Sequence, residues 1–224
     1  MNTFLTLLLA NLKLEFRVRE TMLLLLSLVA MLSFIFSLGI GSAFIDPSVK
    51  LKIFPALLWI LFLVAATVSV GRSFEYEGDL GALEGLLLTG ISIPLIYLAK
   101  VVSNCIILLV GQGFSFLFLS MFMNVEVPNA EQLIPVFVAF TIGYSALATL
   151  LSGVTHTTKL KQILLPIILL PLLVPLFLCA IEMTYGVVLE GAAQFGASWF
   201  IMIIGLDLLY LVLGTGLFEA VIRE

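Results

Sequence analysis

Long apolar runs without formal charge dominate this sequence and leave few folds open to it. Five runs are uncharged and a sixth is interrupted only by Asp207; the six cover residues 21–45, 53–71, 101–125, 132–158, 162–181 and 197–218. A helix of about 20 apolar residues crosses the hydrocarbon core of a bilayer. Only 11% of the residues are charged, against about 25% in soluble domains. Because a backbone in lipid must satisfy its own hydrogen bonds, the sequence predicts an all-α, polytopic membrane protein with six transmembrane helices.

The remaining segments predict one membrane domain over residues 1–224. We assign residues 1–20 to an N-terminal amphipathic elbow helix, 21–71 to spans one and two, 72–92 to a polar segment and 93–224 to spans three to six. In the elbow helix Lys13 and Arg17 follow the apolar residues, which is the reverse of the order in a secretory signal. An amphipathic helix of this kind lies in the bilayer interface, so membrane lipid is an expected partner.

Basic residues indicate the orientation of the bundle. Of the ten Lys and Arg residues, only Lys50 and Lys52 fall on one side of the predicted spans. The other side holds Lys13, Arg17, Arg19, Arg72, Lys100, Lys159, Lys161 and Arg223. Lys and Arg accumulate in cytoplasmic loops. The sequence therefore predicts cytoplasmic N- and C-termini, a cytoplasmic polar segment, and a third span that begins near Pro94 and includes Lys100.

The sequence lacks the residues that common catalytic sites require. It has no Gly-Lys dipeptide, and hence no GxxxxGK[ST] loop to hold nucleotide phosphates. The single histidine, His156, stands in a short polar connection, where we expect it to be solvated rather than bound to a metal. Cys105 and Cys179 lie in apolar runs, which indicates unreactive thiols. We predict no catalytic residue, no metal site and no cofactor bound by this chain, and the net charge of −4 argues against nucleic acid as a partner.

One acid and three prolines stand out within the predicted spans. Asp207 lies about ten residues into the sixth span, where a carboxylate costs about 2.5–3.5 kcal/mol on insertion scales. It is either a proton or substrate contact, or a carboxyl that is protonated or hydrogen-bonded inside the bundle. Pro166, Pro171 and Pro175 each remove a backbone donor from the fifth span. They predict a kink, either at a mobile or pathway-lining position or as part of static packing.

The polar segment after the second span concentrates acids in a chain that otherwise avoids charge. Over residues 75–88, Leu80, Leu83 and Leu87 recur at helical spacing, with Glu77 and Glu84 on another face. This pattern predicts a short helix parallel to the membrane. Because several glycines weaken it as an autonomous helix, it needs docking. It is either a surface for a cytosolic partner or a solvated connection.

Residues in and around this segment follow a familiar order. They are Arg72-Ser73-Phe74, the run from Gly81 to Leu88, Ile93-Pro94 and Ala99-Lys100, with Leu14-Glu15-Phe16-Arg17 near the N-terminus and Leu170-Pro171 and Pro175-Leu176 in the fifth span. This combination resembles the CcmB family, the haem exporter permeases of cytochrome c maturation, over nearly the whole chain. Gly71, Leu80 and Gly85 depart from the family pattern, which has Glu, Asp and Gln there.

The resemblance implies a permease subunit of the ABC-exporter type in a bacterial inner membrane. It implies a coupling helix that docks on a separate cytoplasmic ABC ATPase subunit, with ATP on that partner and the chain itself not an enzyme. Haem would be a cargo of the complex, and a haem-handling membrane protein and a haem chaperone would be further partners. The expected ATPase-coupling interface consists of Arg72, Phe74, Glu75, Glu77, Asp79, Gly81, Leu83 and Glu84.

Other functions fit the same residues. An ABC permease for another cargo, such as a lipid-linked sugar or a drug, would share the fold and the coupling interface. A proton-coupled secondary carrier would use Asp207 and need no ATPase. A membrane scaffold that transports nothing would bind partners without ATP-dependent output. Pro166, Pro171, Pro175 and Asp207 are the candidate pathway or conformational residues under the transport hypotheses.

Overall fold

A computed structural model describes residues 3–17, 19–40, 46–79, 90–155, 161–191 and 198–223, which contain seven α-helices, one short 3-10 helix and no strand. The α-helices are α1 (Thr3–Arg17), α2 (Arg19–Ile40), α3 (Pro47–Asp79), α4 (Ile93–Met123), α5 (Leu133–Thr155), α6 (Lys161–Glu190) and α7 (Ser198–Arg223). The 3-10 helix, Ala130–Gln132, leads into α5. Helices α2 to α7 are each long and apolar enough to cross a bilayer. The predicted all-α architecture with six spans is confirmed.

Two helices continue past the apolar runs that predicted them. Helix α6 extends to Glu190, although the run ends at residue 181. Glu182 is exposed there while Met183 and Thr184 are buried, so one charged side chain on an outer face does not end the helix. Helix α3 runs unbroken to Asp79, whereas we expected a separate surface helix over 75–88. The longer helix is favoured because extending an existing helix by one residue is easier than nucleating a new helix. Residues 80–89 lie outside the described part of the chain.

Local sequence signals set several helix ends. Asp46 precedes Pro47 at the start of α3 and accepts a hydrogen bond from the Ser48 backbone N–H at 3.0 Å, which is the arrangement of an N-cap followed by proline. Asn124 ends α4 in the left-handed conformation with φ of 52°. Gly191, with φ of 72°, ends α6 in the same way, and its carbonyl accepts a hydrogen bond from Asn129 Nδ2 at 2.9 Å. These caps give the chain defined reversals at one end of the bundle.

Helix α5 lies at the centre of the bundle and α2 at its edge. In the window Ala130–Gly153, 78% of the residues are buried, compared with 17% in Leu23–Ile40. Helix α5 packs against α4, α6 and α7, and rings from α3 reach it as well. Apolar side chains on the outer faces, such as Leu117, Ile201 and Val212, remain exposed by more than half, as expected of surfaces in contact with lipid.

Helix α1 lies beside the start of the third span. Leu7 of α1 is buried against Ile96 and Ala99 of α4, whereas Leu5 and Leu9 are about half exposed. The helix therefore fixes one side to the bundle and leaves apolar side chains free to enter the bilayer interface. Helix α1, Thr3–Arg17, lies within the residues 1–20 that we assigned to an elbow helix, and α2 already begins at Arg19.

Candidate functional site

The predicted coupling segment falls at the end of α3. The uncharged run of that helix ends at Gly71, and the helix continues for eight more residues to Asp79, or roughly 12 Å at 1.5 Å per residue. Arg72, Phe74, Glu75, Glu77 and Asp79 therefore lie together on a helical extension beyond the apolar span. The other predicted interface residues, Gly81, Leu83 and Glu84, lie outside the described part of the chain.

A row of polar side chains joins α4 to α5 inside the bundle. Asn104 Nδ2 donates to Thr149 Oγ1 at 3.1 Å. The Thr141 Oγ1–H lies 2.9 Å from Gln112 Oε1 and 2.7 Å from the Phe137 carbonyl oxygen, so these two acceptors share one hydroxyl proton. Between these pairs, the Cys105 thiol lies 3.6 Å from the Thr141 carbonyl oxygen. Polar side chains that hydrogen-bond across helices contribute to helix association in membranes. We refer to these five side chains as the polar row.

Gln112 leaves part of its hydrogen-bonding capacity unused. Its side chain is fully buried, and Nε2 has no hydrogen-bond partner among the described residues. A buried polar group without a partner costs about 1–3 kcal/mol. The polar row is therefore a place where water or another polar group would be favourable within the bundle.

Asp207 belongs to α7 and packs against α5 at Gly143. Its side chain is 4% exposed, and Oδ1 packs so closely on Gly143 of α5 that a Cβ there would overlap it. The Gly143 backbone N–H approaches the carboxyl group, yet neither carboxyl oxygen completes a hydrogen bond in the described structure. Cys105, Cys179 and Tyr210 lie near enough to interact with it electrostatically. Asp207 thus sits where α4, α5 and α6 converge on α7.

Of the three prolines in the fifth span, the side chains of Pro171 and Pro175 are described. Helix α6 is continuous through all three prolines. Because proline has no N–H, Pro175 leaves the Pro171 carbonyl without its usual donor. The adjoining Leu172 carbonyl accepts a hydrogen bond from the Tyr210 hydroxyl of α7 at 2.7 Å. Helix α7 therefore contacts the α6 backbone next to the carbonyl that Pro175 frees, although the Leu172 carbonyl is not itself freed by a proline.

A groove of about 560 Å³ runs between α3 and α6. Trp59 and Phe177 line it, and Pro171 lies on its rim together with exposed apolar side chains such as Ile60 and Val174. The lining is apolar and belongs to the lipid-facing surface of two spans. Pro171 is thus at a surface where α6 meets its surroundings, in contrast to the buried Asp207.

Sequence reasoning missed the aromatic cluster around Trp59. The indole lies 4.4 Å from Phe140 and 5.8 Å from Phe137, measured between ring centroids. Its Nε1–H donates to Thr184 Oγ1 of α6 at 2.9 Å. The only available signal was a tryptophan inside an apolar run, which gives no indication of a partner 125 residues away.

The described residues offer little metal-binding chemistry. They contain no group of three His, Cys, Asp or Glu side chains placed to hold a metal ion. Cys105 and Cys179 are free cysteines and Cys179 is buried, while His156 lies outside the described residues. Lys100 is inside α4, as the sequence predicted, and is buried at 8% exposure. Among the described Asp, Glu, Lys and Arg side chains, Lys100 and Asp207 are therefore the buried ones.

Comparison with known proteins gives a matching family model and a similar protein. A family model described as CcmB protein matches residues 2–224. The chain is also similar to Heme exporter protein B of Haemophilus influenzae, with 29% identity over 152 residues. That alignment covers 65% of this chain and 65% of the relative, so the matched part spans just under two thirds of the relative's length.

Proposed function

Since this chain belongs to the CcmB family, we propose that it is the transmembrane permease subunit of an ABC transporter complex that serves haem export and cytochrome c biogenesis. The observation that carries this proposal is the family match over residues 2–224. The similarity to Heme exporter protein B and the six candidate spans support it. Haem is the proposed cargo of the complex and is treated as its substrate.

We propose that a separate cytoplasmic ATPase drives the permease. The sequence has no Gly-Lys dipeptide and hence no phosphate-binding loop of the Walker type, so ATP would bind to the partner. The extension of α3 beyond its apolar span supports a contact with that partner through residues 72–89. ATP hydrolysis would then drive release of a haem-loaded chaperone, with a haem-handling membrane protein as a further subunit.

We propose a bacterial inner-membrane location with both termini in the cytoplasm. Eight of the ten Lys and Arg residues fall on the side of the termini, and this bias sets the orientation of membrane helices. The opposite end of the described bundle carries exposed acids, including Glu126 and Glu131. This orientation places the extension of α3 in the compartment that contains ATP.

A charge reversal in the coupling segment tests the proposal. We expect Glu84→Lys to lower the ATPase activity of the assembled complex by at least about fivefold, the lower end of typical coupling between sites, without preventing membrane insertion. Glu131→Lys is the matched control, because it reverses an exposed acid at the other end of the bundle. Equal ATPase activity in the two variants would contradict a coupling role for residues 72–89.

A deletion strain separates haem export from other ABC cargoes. Loss of c-type cytochromes on deletion, with recovery by the wild-type chain, would support the proposed cargo. Normal c-type cytochromes would favour a different cargo, such as a lipid-linked sugar or a drug. A proton-coupled carrier remains a second candidate because of the unpartnered Asp207 carboxyl; unlike the ABC permease, it would transport its substrate without any ATPase.

A further inference from the structure

Asp207 is the buried acid that the proposed function leaves without a role. It is the tenth residue of α7, which begins at Ser198, and it lies well inside the candidate span Ser198–Phe218. Its side chain is 96% buried, since its exposure is 4%, and both carboxyl oxygens lack hydrogen-bond partners among the described residues. A carboxyl in this position cannot be hydrated as it would be at the surface.

The groups that face the carboxyl offer it little stabilisation in the ionised form. From α4 and α6 these groups are the thiols of Cys105 and Cys179, and from α7 the phenol of Tyr210; from α5 it is the Gly143 backbone. The Tyr210 hydroxyl already donates to the Leu172 carbonyl, and the Cys105 thiol points to the Thr141 carbonyl. None of these facing groups is a cation.

Burial without a counter-charge determines the protonation state. An ionised carboxylate moved out of water without hydrogen bonds or an opposite charge is so unfavourable that the group normally becomes neutral instead. A bound cation is a poorer explanation, because hard cations need several oxygen ligands and two of the groups that face this carboxyl are thiols. A single proton on one carboxyl oxygen needs no further ligand.

We propose that Asp207 is a proton-binding site that is occupied while α5 and α7 are packed together at Gly143. The carboxyl group keeps its O–H bond in this packed arrangement. When α7 separates from Gly143 and water enters, that O–H bond breaks, the proton passes to a water molecule, and the carboxylate becomes hydrated. Separation of α5 from α7 and release of one proton are then linked equilibria, so each favours the other.

Infrared difference spectroscopy on the full chain in lipid nanodiscs tests the proposal. We expect the wild type at neutral pH to show the C=O band of a protonated carboxylic acid, and Asp207→Asn to lack it. A wild-type spectrum with only carboxylate bands would overturn the proposal. Spectra recorded with and without sodium include the alternative that a bound cation replaces the proton.

Two glycine variants keep the test decisive if Asp207→Asn fails to fold. Gly143→Ala adds a Cβ that overlaps Oδ1 of Asp207, so we expect it to shift or abolish the protonated-acid band. Gly205→Ala, two residues before Asp207 on α7, adds a Cβ with nothing within 4 Å and should leave the band unchanged. Identical bands in both variants would show that the signal does not arise at the α5–α7 contact, and would also overturn the proposal.

Discussion

The side of α5 that faces α3 and α6 is aromatic, whereas the side that faces α4 and α7 is polar or has small residues. On the aromatic side, Phe137 and Phe140 surround the Trp59 ring. On the other side, Thr141 bonds to Gln112 and Gly143 packs on Asp207. Both sides are buried, so burial alone does not distinguish them.

The two sides differ in whether their polar atoms are satisfied. The Trp59 Nε1–H has Thr184 as its acceptor, and Thr184 in turn donates to the Ala180 carbonyl. The polar side keeps Gln112 Nε2 and both Asp207 oxygens without partners among the described residues. Water can therefore lower the free energy only on the polar side. The aromatic side should behave as a fixed unit, and the helices on the polar side should be the ones that separate during the proposed transport cycle.

The largest effect should follow from removing the centre of the aromatic side. Trp59→Ala leaves a cavity among fully buried rings and removes the donor to Thr184, so we expect a loss of about 3–5 kcal/mol in the free energy of unfolding. Equilibrium unfolding in mixed micelles measures it. Trp199→Ala is the control, because Trp199 is 41% exposed; equal losses for the two variants would show that the aromatic cluster is not the rigid side.

A smaller effect is expected where α7 meets α4 and α5. The Tyr97 hydroxyl of α4 donates to the Ala146 carbonyl of α5 at 2.9 Å, and it occupies the place that a Cβ on Gly214 would need. We expect Gly214→Ala to cost about 1–3 kcal/mol of unfolding free energy through overpacking. Thermal unfolding in detergent checks this value.

Gly216→Ala provides the comparison for that substitution. Its Cβ would have nothing within 4 Å, and alanine is favoured over glycine in a helix by roughly 0.8–1.0 kcal/mol. Gly216→Ala should therefore be neutral or stabilising. If Gly214→Ala were equally well tolerated, the Tyr97 contact would not constrain the position of α7.

The spans could be predicted from the sequence because each depends on a local property. An uncharged run of about 20 residues is sufficient to identify a membrane helix, and the amphipathic start of the chain identified α1. Helix ends were harder to predict. Helix α6 continues past Glu182 because neighbouring residues such as Met183 are buried. Those neighbours become evident only when the packing of α6 is known.

The interior contacts could not be predicted because they depend on how helices rotate against one another. No local pattern pairs Trp59 with Thr184 or Asp207 with Gly143, since each pair joins residues far apart in the chain. Asp207 itself was identifiable as the one acid inside an apolar run. Its facing groups were not. The coupling interface stays a prediction, as Glu84 and its neighbours lie outside the described residues.

The next largest effect concerns the hydrogen bond between Asn104 and Thr149 in the polar row. Its coupling energy shows how strongly the polar row holds α4 to α5. A double-mutant cycle with Asn104→Ala and Thr149→Val should give a coupling energy of about 0.6 kcal/mol, the average for side-chain hydrogen bonds between membrane helices. The pair Asn104 and Thr184 serves as the control, because Thr184 bonds to Trp59 instead; its coupling should be near zero. A coupling well above about 1.7 kcal/mol, the largest value in such cycles, would make the polar row as rigid as the aromatic side.

The smallest effect should come from an acid that lies on neither side of α5. The Ser48 backbone N–H donates to Asp46, and this hydrogen bond lowers the pKa of that carboxyl below its usual 3.8. Because the folded-state pKa is lowered, the stabilisation is present at neutral pH and is lost as the pH falls below 3.8 through the lowered value. Asp46→Asn keeps a capping oxygen but cannot titrate.

Unfolding midpoints of the wild type and of Asp46→Asn, measured from neutral pH to below pH 3.8, test this expectation. We expect the wild type to lose slightly more stability than Asp46→Asn over that interval, since only the wild type gains a proton at the start of α3. Asp46→Ala should be less stable at neutral pH because it removes the acceptor of the Ser48 N–H. Identical acid dependence in the wild type and Asp46→Asn would contradict the cap. Asp46 also contrasts with Asp207, because Asp46 is exposed and accepts a backbone hydrogen bond, whereas Asp207 is buried and neither of its carboxyl oxygens completes a hydrogen bond among the described residues.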